Sequence, residues 1–302
     1  MTLASRAPRI EKIMIPPGWG RTSCLVLIPA KNEADRIRAC LTKLAGQGVD
    51  VLVVANNCSD ATGDLAAVAG AAVINCTLPE GGVGAARRLG ADEGLRRMPS
   101  ARSLLTSDAD CLVAPDWVAA NCGYLEKGAA AVCGFVQPIP EEHAALPPAL
   151  LRRAALEDRF LGLKARLEAH LTGQASHEQT PGASLAFTPA TYRAVGGFDP
   201  LPTHEDRAII TRLKVLGLPV VHARDVTVQA SCRMQGRAPG GMAAALKARS
   251  IDPDAPLCSD MGQSGVPAVA AVLATLGALH HQSQLPAAIS TLQGLLDQAK
   301  AL

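Results

Sequence analysis

Two carboxylates one residue apart, Asp108 and Asp110, stand directly after the apolar run Leu104-Leu105-Thr106 and before a proline-led helix start at Pro115-Asp116-Trp117. A short buried strand that ends this way puts hard oxygen ligands at the carboxyl edge of a sheet, where open α/β folds bind ligands. Mg²⁺ or Mn²⁺ is commonly held there by one or two carboxylates, with substrate phosphates completing the shell. The pattern points to an enzyme or binding protein that handles a phosphorylated ligand. An isolated D-x-D also arises by chance or as a helix cap. The second copy, Asp252-Pro253-Asp254, lies in a Pro-rich stretch with no strand before it and reads as a solvated turn. The elements around each copy have to decide.

Those elements alternate. Cys24-Leu25-Val26-Leu27-Ile28 is a continuous apolar run, as in a parallel strand buried on both faces. Asn32 is placed to cap a helix with Asp35 three residues on, and Ile37, Leu41 and Leu44 form its apolar stripe up to Gly46 and Gly48. Val51–Val54 is a second strand, followed by an Asn/Ser/Asp turn and a helix from Thr62. Residues 71–74 read as a third strand, 84–94 as helix, 103–106 as the strand feeding the aspartates, 115–127 as helix and 129–135 as strand. Residues 146–171 carry a long Arg-, Glu- and Leu-rich pattern, read as a solvated amphipathic helix. Then come strand 184–187, helix 189–195, a Gly196-Gly197 break, and helix 205–216 with Ile209, Ile210, Leu213 and Leu216 inward. Strand-like 220–221 and 226–228 follow, and a helical Ala/Leu tail begins at Val266. Short connections between alternating elements predict an α/β fold with a doubly wound, mostly parallel central sheet flanked by helices.

Composition narrows the function. The chain has 302 residues, a net charge of +2 with scattered basic residues, and 3% aromatics. Nucleic-acid binding needs clustered Lys/Arg or stacking platforms, so it is not expected. Nine cysteines lie singly with no CxxC pair, as expected of small buried hydrophobes in a reducing compartment. Residues 1–20 lack the apolar core of a signal peptide. The longest greasy stretch, Val266 to Leu279, is 14 residues and too short to span a bilayer comfortably. A cytoplasmic protein, with peripheral membrane contact allowed, is the expectation.

Six segments, in order, resemble the inverting glycosyltransferases of family 2, which have the GT-A fold. They are Ile28-Pro29-Ala30-Lys31-Asn32-Glu33; Val53 to Thr62, similar to the D-D-G-S-x-D-x-T turn; Gly84-Ala85-Ala86-Arg87; Ser107-Asp108-Ala109-Asp110; Pro181 to Phe187 with Val195 to Asp199; and His204-Glu205-Asp206, similar to an E-D motif. The intervals fit over residues 23–235, which would leave 1–22 as an extension and 236–302 as a Gly/Pro-rich linker and helical tail that covers the acceptor side or mediates homodimer formation. Independent chance matches rarely fall in sequence order.

The resemblance implies a hexosyltransferase using a nucleoside-diphosphate sugar and Mn²⁺ or Mg²⁺. It gives Asp110 the direct metal contact and Asp108 the ribose, or the metal through water. Arg87 would meet diphosphate or base. Pro29, Ala30, Asn32 and Glu33 would line the nucleoside pocket, and Gly182-Ala183 would lie against the donor sugar. Asn56 stands where the family commonly has a base-reading Asp, and Cys58 where it has Ser; an amide both donates and accepts, so the preference for uracil is open. Asp206 would be the general base that takes the acceptor hydroxyl's proton, with Glu205 supporting it or touching the acceptor.

Bland readings stand beside these. Thr203 to Asp206 also reads as a capping box. His222 is either a third metal ligand or a satisfied strand histidine, and Arg233 and Arg237 are either a clasp over the diphosphate or surface residues. Gly82 to Arg87 nearly fits a dinucleotide fingerprint but has Arg at the third glycine. A nucleotidyltransferase would want a Gly-rich loop where Pro29 to Glu33 stands. A glycosyltransferase-like domain that binds nucleotide or a partner protein without turnover is the principal rival, and a retaining mechanism stays open. No Q-x-x-R-W motif occurs, which argues against processive synthesis and for single transfer to a soluble or lipid-borne acceptor.

Overall fold

The computed structural model describes residues 8–78, 82–173, 179–236, 241–252, 266–277 and 279–301, with the single residues 177, 255, 257 and 264. Pro253, Asp254, Cys258 and Arg237, each weighed from sequence, lie outside the described residues. The strands are β1 (Arg9–Met14), β2 (Cys24–Ala30), β3 (Asp50–Asn56), β4 (Ala72–Thr77), β5 (Ser103–Thr106), β6 (Cys111–Val113), β7 (Ala131–Pro138), β8 (Leu185–Phe187) and β9 (Val220–Ala230). They form one sheet ordered β1-β4-β3-β2-β5-β8-β7-β9-β6. The β4-β3-β2-β5 block is parallel throughout, and so is the β7–β9 pair. Antiparallel β8 joins the two, and β1 and β6 close the edges antiparallel.

Why this sheet forms is visible in β2, where all seven residues are buried. Its even-numbered side chains Val26 and Ile28 pack with Val53, Leu105, Ile37, Leu41 and Trp117. The odd-numbered Leu25 and Leu27 pack with Leu52, Val54, Ala91 and Leu95. Period-two alternation thus feeds two cores, one on each face of the sheet. The first core is covered by α1 (Ile37–Leu44), α2 (Thr62–Val68) and α4 (Trp117–Glu126). The second is covered by α3 (Gly82–Arg97) and, further along the chain, by α7 (Pro189–Ala194) and α8 (Glu205–Val215).

The described residues divide into two compact units. The first holds the sheet (residues 1–138, 179–231 and 237–241) and the second holds 139–178, 232–236 and 242–302. The contiguous segments 1–22, 23–235 and 236–302 do not coincide with this division. Strand β1 pairs with β4, and residues 139–178 pack with the tail. The second unit comprises α5 (Pro140–Ala144), α6 (Pro148–Thr172), α9 (Met242–Ile251), α10 (Pro267–Thr275) and α11 (Leu285–Ala301). Its core joins Phe160, Leu163 and Leu167 of α6 to Val269, Leu273, Leu285, Leu292 and Leu296. Helix α6 is therefore no solvated amphipathic helix. Even its Lys164 and Glu168 are buried as an i,i+4 pair, 3.9 Å apart. No described helix is long and apolar enough to cross a membrane.

Other expectations change for local reasons. Asn32 does not cap a helix: α1 starts at Ile37, and Asn32 sits in left-handed backbone (φ 55°) with its side chain turned to Ser59. Leu216 follows the last turn of α8 and is 60% exposed, while Ile209, Ile210 and Leu213 are buried as expected. Residues 220–230 make one bulged strand rather than two. All eight described cysteines are free, and five of them are buried.

Glycine 84 shows how tightly α3 is held. A Cβ there would lie 2.3 Å from the Asp199 carbonyl oxygen and 2.6 Å from that of Leu201, which accepts the Gly84 N–H at 3.0 Å. Backbone cannot give way as a side-chain tip can. Gly84→Ala is expected to destabilise by about 1–3 kcal/mol despite alanine's better helix propensity. Gly123→Ala on α4, where nothing lies within 4 Å of the added Cβ, is expected to stabilise by about 0.5–1 kcal/mol. Urea denaturation of both variants checks the sign of each.

Candidate functional site

The parallel block ends in loops that meet above β2, β3 and β5. The loop after β2 is clamped by the loop after β3, residue by residue. The Ser59 N–H donates to Asn32 Oδ1 at 2.8 Å, the Glu33 N–H to Thr62 Oγ1 at 2.8 Å, and the Ala34 N–H to Asp60 Oδ2 at 3.1 Å. Thr62 is fully buried and its hydroxyl donates to Asp60 Oδ1. The effect is to fix Pro29, Ala30 and the buried Glu33 at the sheet's carboxyl edge. Residues 59–62 carry no periodic signal for this task; their only local sign is an Asp-x-Thr turn, whose side chains bond nearby backbone.

Strand β5 delivers the carboxylate pair. Its four residues are buried, Ser107 continues them, and the chain then turns with the Cys111 N–H donating to the Asp108 carbonyl at 3.1 Å. Ala109 is buried between two half-buried aspartates and anchors the turn from below. The Cys40 thiol of α1 donates to the Asp108 carbonyl at 3.4 Å. Burial raises that thiol's pKa beyond the ordinary range, and the charges of Asp110, Asp108 and Glu33 add to the shift.

Arg87 reaches this edge from α3, only 3% exposed. Its Nη2 donates to Asp108 Oδ1 and its Nη1 to Glu205 Oε1, the latter on a side chain 2% exposed. The Asp108 carboxyl is raised above the ordinary aspartate range. Burial is the main cause, Asp206 and Glu33 add to it, and Arg87 opposes it. Asp206 itself is held at both oxygens: the Gly182 N–H donates to Oδ2 at 2.8 Å and the Arg207 N–H to Oδ1 at 2.7 Å.

The structure therefore brings Glu33, Arg87, Asp108, Gly182, Glu205 and Asp206 into one cluster, with Asp110 at the same turn. The capping-box reading of Thr203 to Asp206 is not what forms. His204 (φ 65°) precedes α8 with no side-chain cap, and Thr203 Oγ1 bonds His204 Nδ1 at 3.0 Å. Gly182 is needed where it stands, but against Arg87: its Cβ would sit 2.4 Å from three guanidinium atoms. Ala183 beside it is buried.

Asn56 is buried at the end of β3, and its Oδ1 accepts the Leu78 N–H at 3.1 Å. His222 lies on β9 with Nδ1 3.1 Å from the Gln179 carbonyl oxygen. Arg233 belongs to the second unit. A separate cavity of about 230 Å³, bordered by Asn57, Asp60, Asp64 and Asn75, includes none of the candidate residues.

Among the described residues, no group of three or more His, Cys, Asp or Glu side chains is arranged to hold a metal ion. The donor set on offer is the Asp108–Asp110 pair, one member of which is already tied to Arg87. Such a set fits a hard divalent ion whose remaining ligands come from a substrate's phosphates, and does not fit an all-protein cage.

The model of a protein family described as Glycosyl transferase family 2 matches residues 25–189, more than half of the chain. No curated protein matches in sequence. Among solved structures, the chain is similar to a mannosyltransferase from Pyrobaculum calidifontis in complex with GDP-Man and Mn²⁺ (16% identity, 95% of this chain and 82% of that one, TM-score 0.48). It is also similar to glucosyl-3-phosphoglycerate synthase from Mycobacterium tuberculosis in complex with Mg²⁺ and UDP (20% identity, 81% and 89%, TM-score 0.47). These are distant likenesses, and the assignment rests on the family match.

Two changes test the clamp. Thr62→Val leaves the Glu33 N–H without an acceptor and is expected to cost about 1–3 kcal/mol in urea denaturation. For Asp60, burial works against ionisation, but hydrogen bonds from the Thr62 side chain and from the Thr62 and Ala34 amides hold its carboxyl below the ordinary range. A depressed carboxyl adds stability that is complete above its unfolded pKa and is lost as pH falls through the folded value. The stability gap between the parent protein and Asp60→Asn should therefore be constant above about pH 4 and close below it. A gap that widens on acidification would contradict the assignment.

Proposed function

This chain belongs to glycosyl transferase family 2, and from that premise we propose that it moves a sugar from a nucleoside-diphosphate donor to an acceptor hydroxyl with inversion, using Asp110 for a divalent ion and Asp206 as base. The observation that carries this reading is the pinning of Asp206 by the Gly182 amide at 2.8 Å, within electrostatic reach of Asp108. The aspartate pair proposed for the ion and the proposed base, from segments about a hundred residues apart in sequence, thus share one edge of the sheet.

Asp110, with Asp108 beside it, would hold the ion. A bound Mn²⁺ or Mg²⁺ supplies Lewis-acid neutralisation of the departing diphosphate. Ala30 and Glu33, held by the clamp, would line the nucleoside side of the site. The acceptor oxygen attacks the anomeric carbon from the face opposite the diphosphate, the carbon–oxygen bond to the diphosphate breaks, and the acceptor proton passes to an Asp206 oxygen. Each oxygen of that carboxylate accepts one amide and keeps a further lone pair for the proton. Glu205 is buried against Arg87, so its part is support for Asp206 and not contact with the acceptor. A small-molecule or lipid-borne acceptor suits this chemistry equally.

A thermal-shift panel of UDP-, GDP-, dTDP- and CDP-sugars with and without Mn²⁺ should show metal-dependent stabilisation by one nucleotide class, lost in Asp110→Ala. Stabilisation indifferent to metal would remove Asp110 from its role. With the donor so found, Asp206→Asn should bind it with little change while turnover falls by about 10²–10⁴-fold. Unchanged turnover would disqualify Asp206, and product of retained anomeric configuration by NMR would overturn inversion.

A further inference from the structure

Arg87 is the one cation in the described cluster whose position the proposed chemistry leaves unexplained. A residue that grips a diphosphate should present donors to the cleft. Arg87 does the reverse: its side chain is 3% exposed, its Nη atoms are taken by Asp108 and Glu205, and its Nε is buried without an acceptor. One face of the guanidinium is covered by Gly182, so closely that any side chain there would collide with it.

The same glycine is bonded on both sides. Its N–H donates to Asp206 Oδ2 at 2.8 Å, and its carbonyl accepts the Thr106 hydroxyl at 2.6 Å, from the last residue of β5. The contacts close a circuit from β5 through Gly182 to the first turn of α8, through Glu205 to Arg87 on α3, and back to Asp108 just past β5. We infer that Arg87 is a positioning residue that ties the first turn of α8, which carries Asp206, to the Asp108–Asp110 turn, and does not itself engage the donor. This deepens the proposed function and rests on it.

The physical basis is the shape of the group. A planar guanidinium can hold two carboxylates in fixed directions at once, whereas an ammonium on a flexible stem is a point charge. A buried and a half-buried carboxylate drawn onto one guanidinium cannot drift independently, and misplacement of a reacting group by about 1 Å can cost about 10²-fold in rate. Glycine at 182 is required by the guanidinium's thickness, since its backbone lies outside the left-handed region.

The test uses the full chain, Mn²⁺ with UDP or GDP for binding by calorimetry, and the donor identified by the panel for turnover. Arg87→Lys keeps the charge but loses the fork. It is expected to lower kcat by about 10²-fold while the Kd of Mn²⁺–nucleoside diphosphate moves by less than about threefold. Gly182→Ala alters no charge and should give the same split. Glu205→Gln should do so too, and the Arg87→Lys/Glu205→Gln double variant should be no slower than the worse single one, as for residues acting as a unit. Millimolar guanidinium, and not urea, should restore part of kcat to Arg87→Ala. A loss of Mn²⁺–nucleoside diphosphate affinity of tenfold or more in Arg87→Lys, with Gly182→Ala unaffected, would make Arg87 a donor ligand and overturn the inference. If Arg87→Lys fails to fold, Gly182→Ala and Glu205→Gln decide alone, and kcat unchanged in both refutes the tie. Failure of the underlying reading looks different: Asp206→Asn would then keep its turnover.

Discussion

A guanidinium removed from water is tolerable only while its partners stay in place, and that condition governs the carboxyl edge of this sheet. Arg87 lies at 3% exposure between a carboxylate that is itself 2% exposed and one that is 37% exposed. Withdrawing Glu205 leaves the buried guanidinium only the partly exposed Asp108, and withdrawing Asp108 unties the β5 turn from α3. The fold therefore cannot relax α3, the β5 turn and the start of α8 separately. Three elements distant in sequence are made to share one geometry, and the Asp108 carboxyl is raised chiefly by burial, with Asp206 and Glu33 adding to it against the pull of Arg87.

A second set of restraints acts on the other side of the edge with neutral groups. Backbone amides of residues 33 and 34 are satisfied by Thr62 and Asp60, and Asn32 accepts from Ser59. Loops of this kind usually carry mobile backbone, but here each donor has a side-chain acceptor from the neighbouring loop. The carboxyl edge of the sheet is thereby held by bonded backbone after β2 and by an ionic tie at Arg87. An edge organised in advance of binding is the condition under which electrostatic stabilisation costs little reorganisation.

The second unit has a different construction. It is helical, with a core of Phe160, Leu163, Leu167, Val269, Leu273 and Leu292, and carries its own buried charges, including Arg153 bonded to Glu157 at 2.7 Å and to the Ala255 carbonyl at 2.7 Å. Its chain segments alternate in sequence with those of the sheet-bearing unit, so that α6 and the tail helices find each other only in three dimensions.

The sequence by itself determined the alternation of strands and helices, the burial of β2, β3 and β5, and the delivery of Asp108 and Asp110 to a strand end. Each is written in local pattern: continuous apolar runs, a proline-led helix start, two acids one residue apart. It also determined the family, through six short segments in order. Only the tertiary structure decided what Asn32, Gly182, Glu205 and Thr62 do, because their partners lie 24 to 118 residues away and leave no periodic trace. The same reason explains the missed edges: β1 and β6 are strands because β4 and β9 accept them, and three to six residues of modest apolar character do not announce it. Helix α6 looked solvated because its charges are many, and a charge's partner is decided by packing and not by spacing alone.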